Sequence, residues 1–369
     1  MIAVQQNHLV LAVSWVLAAL FTFLLQAGVR SNPPDLDQFY LAGQLILAGQ
    51  SEDIYKPAAY KPLVRRLSSS GVAVSDNHYF NRPAFAALPW AVVSLLSYDV
   101  VEKLAILANL FGICLLTWKL PSWFPGLRYH RPWLICFPPF LWSLALGQDT
   151  IFLTLALAYS LVLMRKDREI QAGMILSLCL VKPQLIWLIP AALFVHSKMR
   201  TVYSFLTCGL LFLVISLSMV GPAGLVQWQT LLASASTDYA PQGMPTLRAI
   251  SLQTSIWVAI FAAFLAVGGL LLAWRRRGLN QLLAGAIIAS VLFSPHAYVH
   301  DVAVFAVAAG LQTSSALRSL LLLPWPVAVM AFQPSAFPLT YAMAGLTVIV
   351  ICALADSRAV GAAPQERQV

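Results

Sequence analysis

Charge is the scarcest property of this chain. Charged residues make up 10% of its 369 positions and hydrophobic residues 60%, whereas about a quarter of the residues in soluble domains are charged. This deficit excludes an ordinary soluble protein. What is present instead is a series of apolar runs separated by short basic or proline-rich breaks, as membrane-spanning helices require. The sequence therefore predicts an all-α polytopic membrane protein with about twelve transmembrane helices.

Cysteine is also sparse. The five cysteines stand alone inside apolar runs, at Cys114, Cys136, Cys179, Cys208 and Cys352. Neither a disulfide framework nor a zinc-ligand spacing is present. The sequence accordingly predicts no metal site and no bound cofactor.

The positive balance of the chain, a formal net charge of +9, comes from basic residues in the short breaks between apolar runs. That placement is typical of membrane topology signals, which mark the cytoplasmic side, and not of nucleic-acid binding. The clusters lie at 119–131, 165–168, 198–200 and 275–277. They predict that both termini are cytoplasmic, and that the partners include membrane lipids but no nucleic acid.

The same pattern predicts one transmembrane domain over residues 1–355 and a polar cytoplasmic tail over 356–369. The first apolar run, residues 8–29, is too long for the core of a signal peptide, so we expect an uncleaved first span. Because successive spans end on opposite sides of the membrane, residues 30–100 are predicted to form a first outer loop with interfacial helices. The same alternation places residues 221–248 in a second outer loop.

Some apolar segments are too short to cross a membrane upright. Residues 83–97 are interrupted by a proline, and a crossing there would turn every later basic cluster outward. We therefore expect a re-entrant or interfacial pair of helices, with the next span at about 101–119. Residues 170–181 and 184–195 are shorter than the roughly twenty residues that a perpendicular helix needs. Lys182, which separates them, is predicted to lie sunk in a cavity below the outer surface.

Two carboxylates, Asp35 and Asp37, open the first outer loop, just after Pro33 and Pro34 end the first span. A carboxylate at this boundary either acts as a general base or caps a helix in a solvated loop. The residues alone leave both interpretations open.

A set of five residues in this loop resembles the first outer loop of glycosyltransferase family 87, the polyprenol-phosphate-mannose-dependent mannosyltransferases: Asp35, Tyr40, Ala42, Gly49 and Tyr55. The resemblance implies a GT-C type membrane fold. It assigns the general base to Asp35, with Asp37 as the alternative, and it implies that Tyr40 helps to bind the donor.

Later stretches are similar to the same family, and with the first loop they extend the resemblance over most of the chain: Asn81-Arg82-Pro83, Gly147-Gln148, Ala172-Gly173 with Lys182-Pro183, and Ser294 to Asp301. Arg82 departs from the pattern by replacing a proline, and Asp301 by replacing the second of two histidines. The resemblance implies that Gln148, Lys182 and His300 bind the phosphate and the sugar of the donor. Arg82 is predicted to bind the phosphate from its own chemistry, because a guanidinium can donate two parallel hydrogen bonds to it.

Each of these side chains also has a structural interpretation. Arg82 can serve as a lipid headgroup anchor, Gln148 as a polar turn residue and His300 as an interface residue. Lys182 can pair with Asp149 or extend its amine toward the membrane surface. The sequence leaves these alternatives beside the functional ones.

The family implies an inverting transfer of a sugar, usually mannose, from a polyprenyl-phosphate donor to a hydroxyl of a lipid or glycan acceptor. The predicted location is the extracytoplasmic face of the cell membrane. A transporter or flippase of a lipid-linked sugar is the alternative, because it needs the same binding residues. Two features argue against it: ten of the fourteen acidic residues fall on the predicted outer face, and no pair of broken-helix repeats is present.

Overall fold

The computed structural model describes residues 35–72, 74, 79–238, 244–275, 278–322 and 342–349. This described part is helical and contains no β-strand. The predicted first span at 8–29 and the tail at 356–369 lie outside the described residues.

The first outer loop folds into short helices that form their own apolar cluster. The helices are α1 (Leu36–Leu47), α2 (Pro57–Ser69) and α3 (Leu88–Val93), with 3₁₀ turns at Ser51–Asp53 and Ala84–Ala87. Phe39, Tyr60 and Phe80 are fully buried among them, and the ring of Phe39 stacks on Trp90 with centroids 5.0 Å apart. The cluster also includes Val220 from a later helix, so the loop is tied to the rest of the chain. Within 83–97, both helical pieces are too short to span a membrane, which fits the predicted interfacial placement.

The middle of the chain contains seven helices and the 3₁₀ turns Pro125–His130, Leu178–Val181 and Pro183–Leu185: α4 (Tyr98–Trp123), α5 (Arg131–Ile135), α6 (Pro138–Leu146), α7 (Thr150–Arg165), α8 (Glu169–Ser177), α9 (Ile189–Val195) and α10 (Met199–Asp238). The segments on either side of Lys182 are thus short helices, each with a 3₁₀ turn on the side that faces Lys182.

The last part adds α11 (Leu247–Gln253), α12 (Ile256–Arg275), α13 (Leu279–Leu292), α14 (Phe305–Leu311) and α15 (Ser315–Leu322), with a 3₁₀ turn at Val299–Val304. Residues 342–349 are also helical. Segments from both parts form one large apolar core, in which α13 and α14 are almost wholly buried.

Three helices in the described part are long and apolar enough to cross a membrane: Tyr98–Trp123, Met199–Ala233 and Ile256–Arg275. They carry large exposed apolar side chains, among them Phe111, Leu210 and Phe264, which suit contact with lipid tails. The other apolar helices here are shorter. About twelve spans is therefore not confirmed and stays a prediction.

A backbone kink redirects the second half of α10. Gly221 has φ 66° and ψ 177°, a conformation that is essentially restricted to glycine. Pro222 follows at the first position of the next helical piece, where a missing N–H is tolerated. Most of the predicted second outer loop, 221–248, is thus helical, and residues 239–243 within it lie outside the described residues.

The helix α7 runs from a basic end at Arg165 to a polar end at Thr150. At one end, the Arg165 guanidinium donates to the carbonyl oxygen of Trp123 and to Asn280, both at 3.3 Å. Nearby in sequence, Lys198 pairs with Glu169 at 2.8 Å. Because α7 has 16 residues, its other end lies about 24 Å away. That other end begins at Thr150, beside the polar side chains described next.

Candidate active site

A cavity of about 240 Å³ lies where the first outer loop meets the starts and ends of several long helices. Five of the six predicted donor-site and base residues line it: Asp35, Arg82, Gln148, Lys182 and His300. They come from five segments that are far apart in sequence. The volume lies below the roughly 300 to 1,000 Å³ of drug-sized ligand sites, so the cavity suits the reacting ends of substrates and not a lipid tail.

The Gly147-Gln148 turn positions the Gln148 side chain, which links the polar groups of the cavity wall. Gly147 ends α6 in the left-handed conformation, with φ 66°, where other residues are strained. A side chain at this position would also press on Leu36. The turn releases Gln148 into the cavity wall, and α7 begins two residues later.

Gln148 joins the predicted base to the two cations. Its Nε2 donates to Asp35 Oδ2 at 2.5 Å, while its Oε1 accepts from Arg82 Nη2 at 2.7 Å and from Lys182 Nζ at 3.1 Å. The cations fix which end of the amide faces Asp35. Both ends of this amide are therefore engaged by protein groups.

Asp35 does not cap the helix that it precedes. It occupies the N-cap position of α1 but makes no side-chain capping hydrogen bond. Its carboxylate instead contacts the Gln148 amide and lines the cavity. Such a placement suits a proton acceptor near a substrate, whereas it does not support the capping interpretation.

Asp37, the alternative base, lies elsewhere. It is fully buried, its Oδ1 accepts from the backbone N–H of Gln38 at 2.6 Å, and it is not part of the cavity lining. The structure therefore brings Asp35, and not Asp37, to the predicted cations.

Tyr40 is the one predicted donor-binding residue that the structure does not bring to the cavity. Its hydroxyl donates to the carbonyl oxygen of Leu96 at 3.1 Å. Its ring meets that of Tyr98 edge to face, with centroids 5.3 Å apart. These contacts hold α1 against the start of α4.

Arg82 reaches the cavity from the segment between α2 and α3. Its guanidinium forms an ion pair with Asp149 and lies over the ring of Phe39, 4.4 Å from the centroid. Its carbonyl oxygen accepts from the Tyr55 hydroxyl at 2.7 Å, and burial raises the pKa of Tyr55, which keeps that hydroxyl a neutral donor. Arg82 is only 5% exposed, which does not fit the headgroup-anchor interpretation.

Lys182 is buried and held by several acceptors. Its Nζ donates to Asp301 Oδ1 at 2.6 Å and to Thr150 Oγ1 at 2.8 Å, besides the contact with Gln148. The distance to Asp149 Oδ1 is 4.0 Å. The lysine thus pairs with a carboxylate, but the close partner is Asp301 and not the Asp149 weighed from the sequence.

His300 and Asp301 enter the cavity together from the 3₁₀ turn that precedes α14. His300 Nε2 lies 3.4 Å from Asp301 Oδ1, and its ring stacks against Tyr298 with centroids 5.9 Å apart. Asp301 Oδ2 accepts from the backbone N–H of Tyr298 at 3.0 Å. This turn therefore presents a histidine and a carboxylate on one wall.

Several residues that build this site carry no recognisable functional signal in the sequence. Thr150 is buried against Lys182, and its signal is a polar residue at the start of an otherwise apolar helix. Trp228 lines the cavity and donates to the carbonyl oxygen of Asn81 at 3.0 Å. Asp149 and Asp301 were recognised as carboxylates, yet their pairing with Arg82 and Lys182 emerges only in three dimensions.

Apolar helices long enough to cross a membrane, together with a cavity lined by buried ionised and hydrogen-bonding side chains, define a helical membrane protein with a polar site. A model of glycosyltransferase family 87 matches residues 80–295, more than half of the chain, and the chain belongs to this family. It is accordingly a membrane glycosyltransferase. No curated protein and no solved structure matches the chain.

The family match confirms the predicted family, while the mannosyltransferase subtype stays a prediction. The matched residues include Arg82, Gln148 and Lys182, whereas Asp35 and His300 lie outside them. In the part of the chain that the structure describes, no group of three or more His, Cys, Asp or Glu side chains is placed to hold a metal ion. The expectation of a metal-free reaction itself stays a prediction.

Proposed function

We propose that the protein transfers a sugar, usually mannose, from a polyprenyl-phosphate donor to a hydroxyl of a lipid or glycan acceptor. The transfer inverts the anomeric configuration and takes place at the extracytoplasmic face of the cell membrane. The observation that carries this proposal is the connection of Asp35, through Gln148, to Arg82 and Lys182 within one cavity. A carboxylate and two cations at this spacing can serve the two ends of one displacement.

The reaction needs a proton acceptor on one side of the sugar and a place for an anion on the other. The acceptor oxygen forms a bond to the anomeric carbon as the bond from that carbon to the phosphate oxygen breaks. The electron pair of the broken bond leaves with the phosphate, and Asp35 takes the proton of the acceptor hydroxyl. Attack opposite the leaving phosphate inverts the configuration.

Fixed positive groups aid this step because negative charge develops on the departing phosphate. Arg82 and Lys182 are the cations of the cavity wall that we assign to the phosphate, and His300 lies on the same wall as a hydrogen-bonding group. Buried groups held in place by protein contacts need little rearrangement during the reaction. The small volume of the cavity leaves the polyprenyl tail to the surrounding lipid.

The direct test is sugar transfer by the purified protein in nanodiscs, given radiolabelled polyprenyl-phosphate-mannose and a membrane-lipid extract. Asp35→Asn should lower the rate of transfer by about 10² to 10⁴, the usual contribution of a general base, while binding of the donor is retained. Asp37→Asn serves as the matched control, because Asp37 is buried outside the cavity, and it should transfer at a rate close to that of wild type.

Loss of activity in Asp37→Asn alone would show that the general base is Asp37 and not Asp35. If the wild-type protein moved labelled donor across a vesicle membrane without forming product, the protein would be a flippase and not a glycosyltransferase. Parallel reactions with polyprenyl-phosphate-glucose and with a nucleotide-linked mannose identify the sugar and the carrier. Equal use of the nucleotide-linked sugar would contradict the lipid-phosphate donor.

A further inference from the structure

The hydrogen bonds of Lys182 are fully used within the protein. An ammonium group has three N–H donors, and those of Lys182 meet Asp301 at 2.6 Å, Thr150 at 2.8 Å and Gln148 at 3.1 Å. A phosphate can therefore contact this amine directly only by displacing one of the three. The lysine is built into the wall of the cavity.

Arg82 differs in this respect. A guanidinium has five N–H donors, and in Arg82 two of its nitrogens donate, to Asp149 and to Gln148. No further hydrogen bond from this guanidinium is found among the described residues. Arg82 lines the cavity, so it has donors left for a ligand, and its planar group matches the oxygens of a phosphate.

Asp301 is the residue that fixes Lys182. Oδ1 accepts from the lysine, and Oδ2 accepts from the backbone N–H of Tyr298 at 3.0 Å. Thr150 Oγ1 and His300 Nε2 each lie 3.4 Å from Oδ1. Asp301 is only 2% exposed, and its side chain lines the same cavity. Its charge therefore faces any anion that enters.

The balance of charge around the cavity follows from these pairs. Three carboxylates, Asp35, Asp149 and Asp301, stand with two cations, Arg82 and Lys182. A phosphate thus enters a site in which each cation already forms an ion pair with a carboxylate. Because screening is weak inside a protein, the Asp301 carboxylate that pairs with Lys182 reduces the attraction between Lys182 and that phosphate.

We propose that Asp301 is a positioning residue that sets how tightly the cavity holds the phosphate of the donor. It keeps Lys182 in place and offsets its charge, so Arg82 makes the direct contact and the polyprenyl phosphate product can leave. The inference rests on the proposed function.

Removing the charge of Asp301 should tighten the binding of a phosphate. Farnesyl phosphate is a suitable probe, because it carries a phosphate on a short prenyl chain, and its Kd is measured with the full-length protein in nanodiscs. We expect Asp301→Asn to bind it about tenfold more tightly, as removal of a nearby like charge predicts. In turnover, the KM for the donor should fall and kcat should also fall, because the phosphate product leaves more slowly.

The sign of the effect separates this role from a merely structural one. A variant damaged only in its fold would bind the probe more weakly, so unchanged or weaker binding by Asp301→Asn would overturn the inference. Asp53→Asn is the matched control. Asp53 also pairs with a lysine at 2.6 Å, namely Lys56, but at the surface, and its variant should bind as wild type does.

A double variant tests whether Asp301 acts through Lys182, and it also decides the matter if Asp301→Asn does not fold. The double variant Lys182→Met/Asp301→Asn removes both charges and leaves neither one buried alone. We expect its Kd to stay within about threefold of wild type, because the two charges already offset each other. A loss of tenfold or more would show that Lys182 holds the phosphate itself and would overturn the inference.

The proposed function has its own separate control. Wild type should bind farnesyl phosphate, and Arg82→Met should bind it much more weakly. Absence of binding by wild type would overturn both proposals. Normal behaviour of wild type and Arg82→Met, with no tightening in Asp301→Asn, would overturn only the role of Asp301.

Discussion

At the scale of single residues, Gln148 does more than offer an amide to a sugar. Both ends of its side chain are engaged, with the carbonyl oxygen toward Arg82 and Lys182 and the amide N–H toward Asp35. The amide thus holds the predicted base at a fixed distance from the cations. The Gln148 amide is neutral, so it donates a hydrogen bond to the Asp35 carboxylate without adding a second negative charge beside it.

Gln148→Glu tests this arrangement, because it preserves shape while placing a second carboxylate beside Asp35. Two adjacent carboxylates resist ionising together. The acidic limb of the pH–rate profile should therefore move to higher pH, although Arg82 and Lys182 on the other oxygen oppose the shift. The profile of sugar transfer against pH gives the measurement.

Tyr40→Phe is the control for this experiment. The Tyr40 hydroxyl bonds to a backbone carbonyl away from the cavity, so the variant should keep the wild-type profile and lose about 1 kcal/mol of stability. An unshifted profile in Gln148→Glu would mean that the contact between Gln148 and Asp35 takes no part in accepting the proton.

The sequence indicated which residues would gather at the site better than it indicated their partners. Counting spans from the basic clusters predicts that Gln148, Lys182 and His300 lie on one side of the membrane. A cytoplasmic N-terminus places Asp35 on that side too. The choice between Asp149 and Asp301 as the partner of Lys182 depends on a difference between 4.0 Å and 2.6 Å. No spacing along the chain encodes such a distance across more than a hundred residues.

At the scale of single elements, the kink in α10 decides where Trp228 lies. Beyond Gly221, the helix carries Trp228 to the carbonyl oxygen of Asn81, next to Arg82, and the indole stacks on Tyr55 with centroids 6.2 Å apart. The second half of the helix thereby forms a wall of the cavity. A straight helix would carry this tryptophan elsewhere.

Gly221→Ala should therefore destabilise the protein and reduce its activity. The backbone conformation at this position costs a residue with a Cβ about 1 to 3 kcal/mol. Relief of that strain would straighten the helix and withdraw Trp228 from the cavity. Thermal unfolding in detergent and the rate of sugar transfer measure the two effects.

Gly268→Ala is the matched control, since Gly268 lies inside the helix α12 and an added Cβ there meets open space. It should leave both the unfolding temperature and the activity close to wild type. Equal loss in the two variants would mean that the kink has no special role.

The kink also shows where the sequence argument was incomplete. The alternation of spans predicts a second outer loop over residues 221–248. The chain instead resumes the helix at once, because the glycine makes the bend and the proline starts a new first turn. Glycine followed by proline is compatible with a loop and with a kinked helix, so only packing separates them.

At the scale of the whole molecule, the cavity lies at the opposite ends of two segments from the basic residues Arg165 and Lys198. Arg165 and Thr150 mark the two ends of α7, and Lys182 and Lys198 mark the two ends of the segment containing α9. By the positive-inside rule, the end with Arg165 is cytoplasmic. The cavity would then open on the other side of the membrane.

Single-cysteine labelling in a background without the native cysteines tests this orientation. Ser70→Cys lies in the first outer loop and Lys166→Cys follows α7, and both positions are exposed. A membrane-impermeant maleimide should label Ser70→Cys in intact cells, and Lys166→Cys only after the membrane is permeabilised. The reverse pattern would place the cavity in the cytoplasm.

Labelling of permeabilised cells is the control, because both positions should then react equally. The number of spans is hard to predict from hydropathy. The described part contains three helices of full spanning length, while other apolar segments, such as those around Lys182, are broken into shorter helices. Hydropathy records that a segment is apolar, but not whether a polar site interrupts it.

The broken backbone at Lys182 has a consequence for the fidelity of the reaction. Irregular backbone at membrane depth persists only where protein buries it or where it lines a water-filled cavity. The 3₁₀ turns Leu178–Val181 and Pro183–Leu185 border the cavity, and water that reaches them also reaches Asp35. Water is itself a nucleophile, so the acceptor must displace it before the sugar is released. How well the acceptor fills that space determines how much of the donor is wasted by hydrolysis.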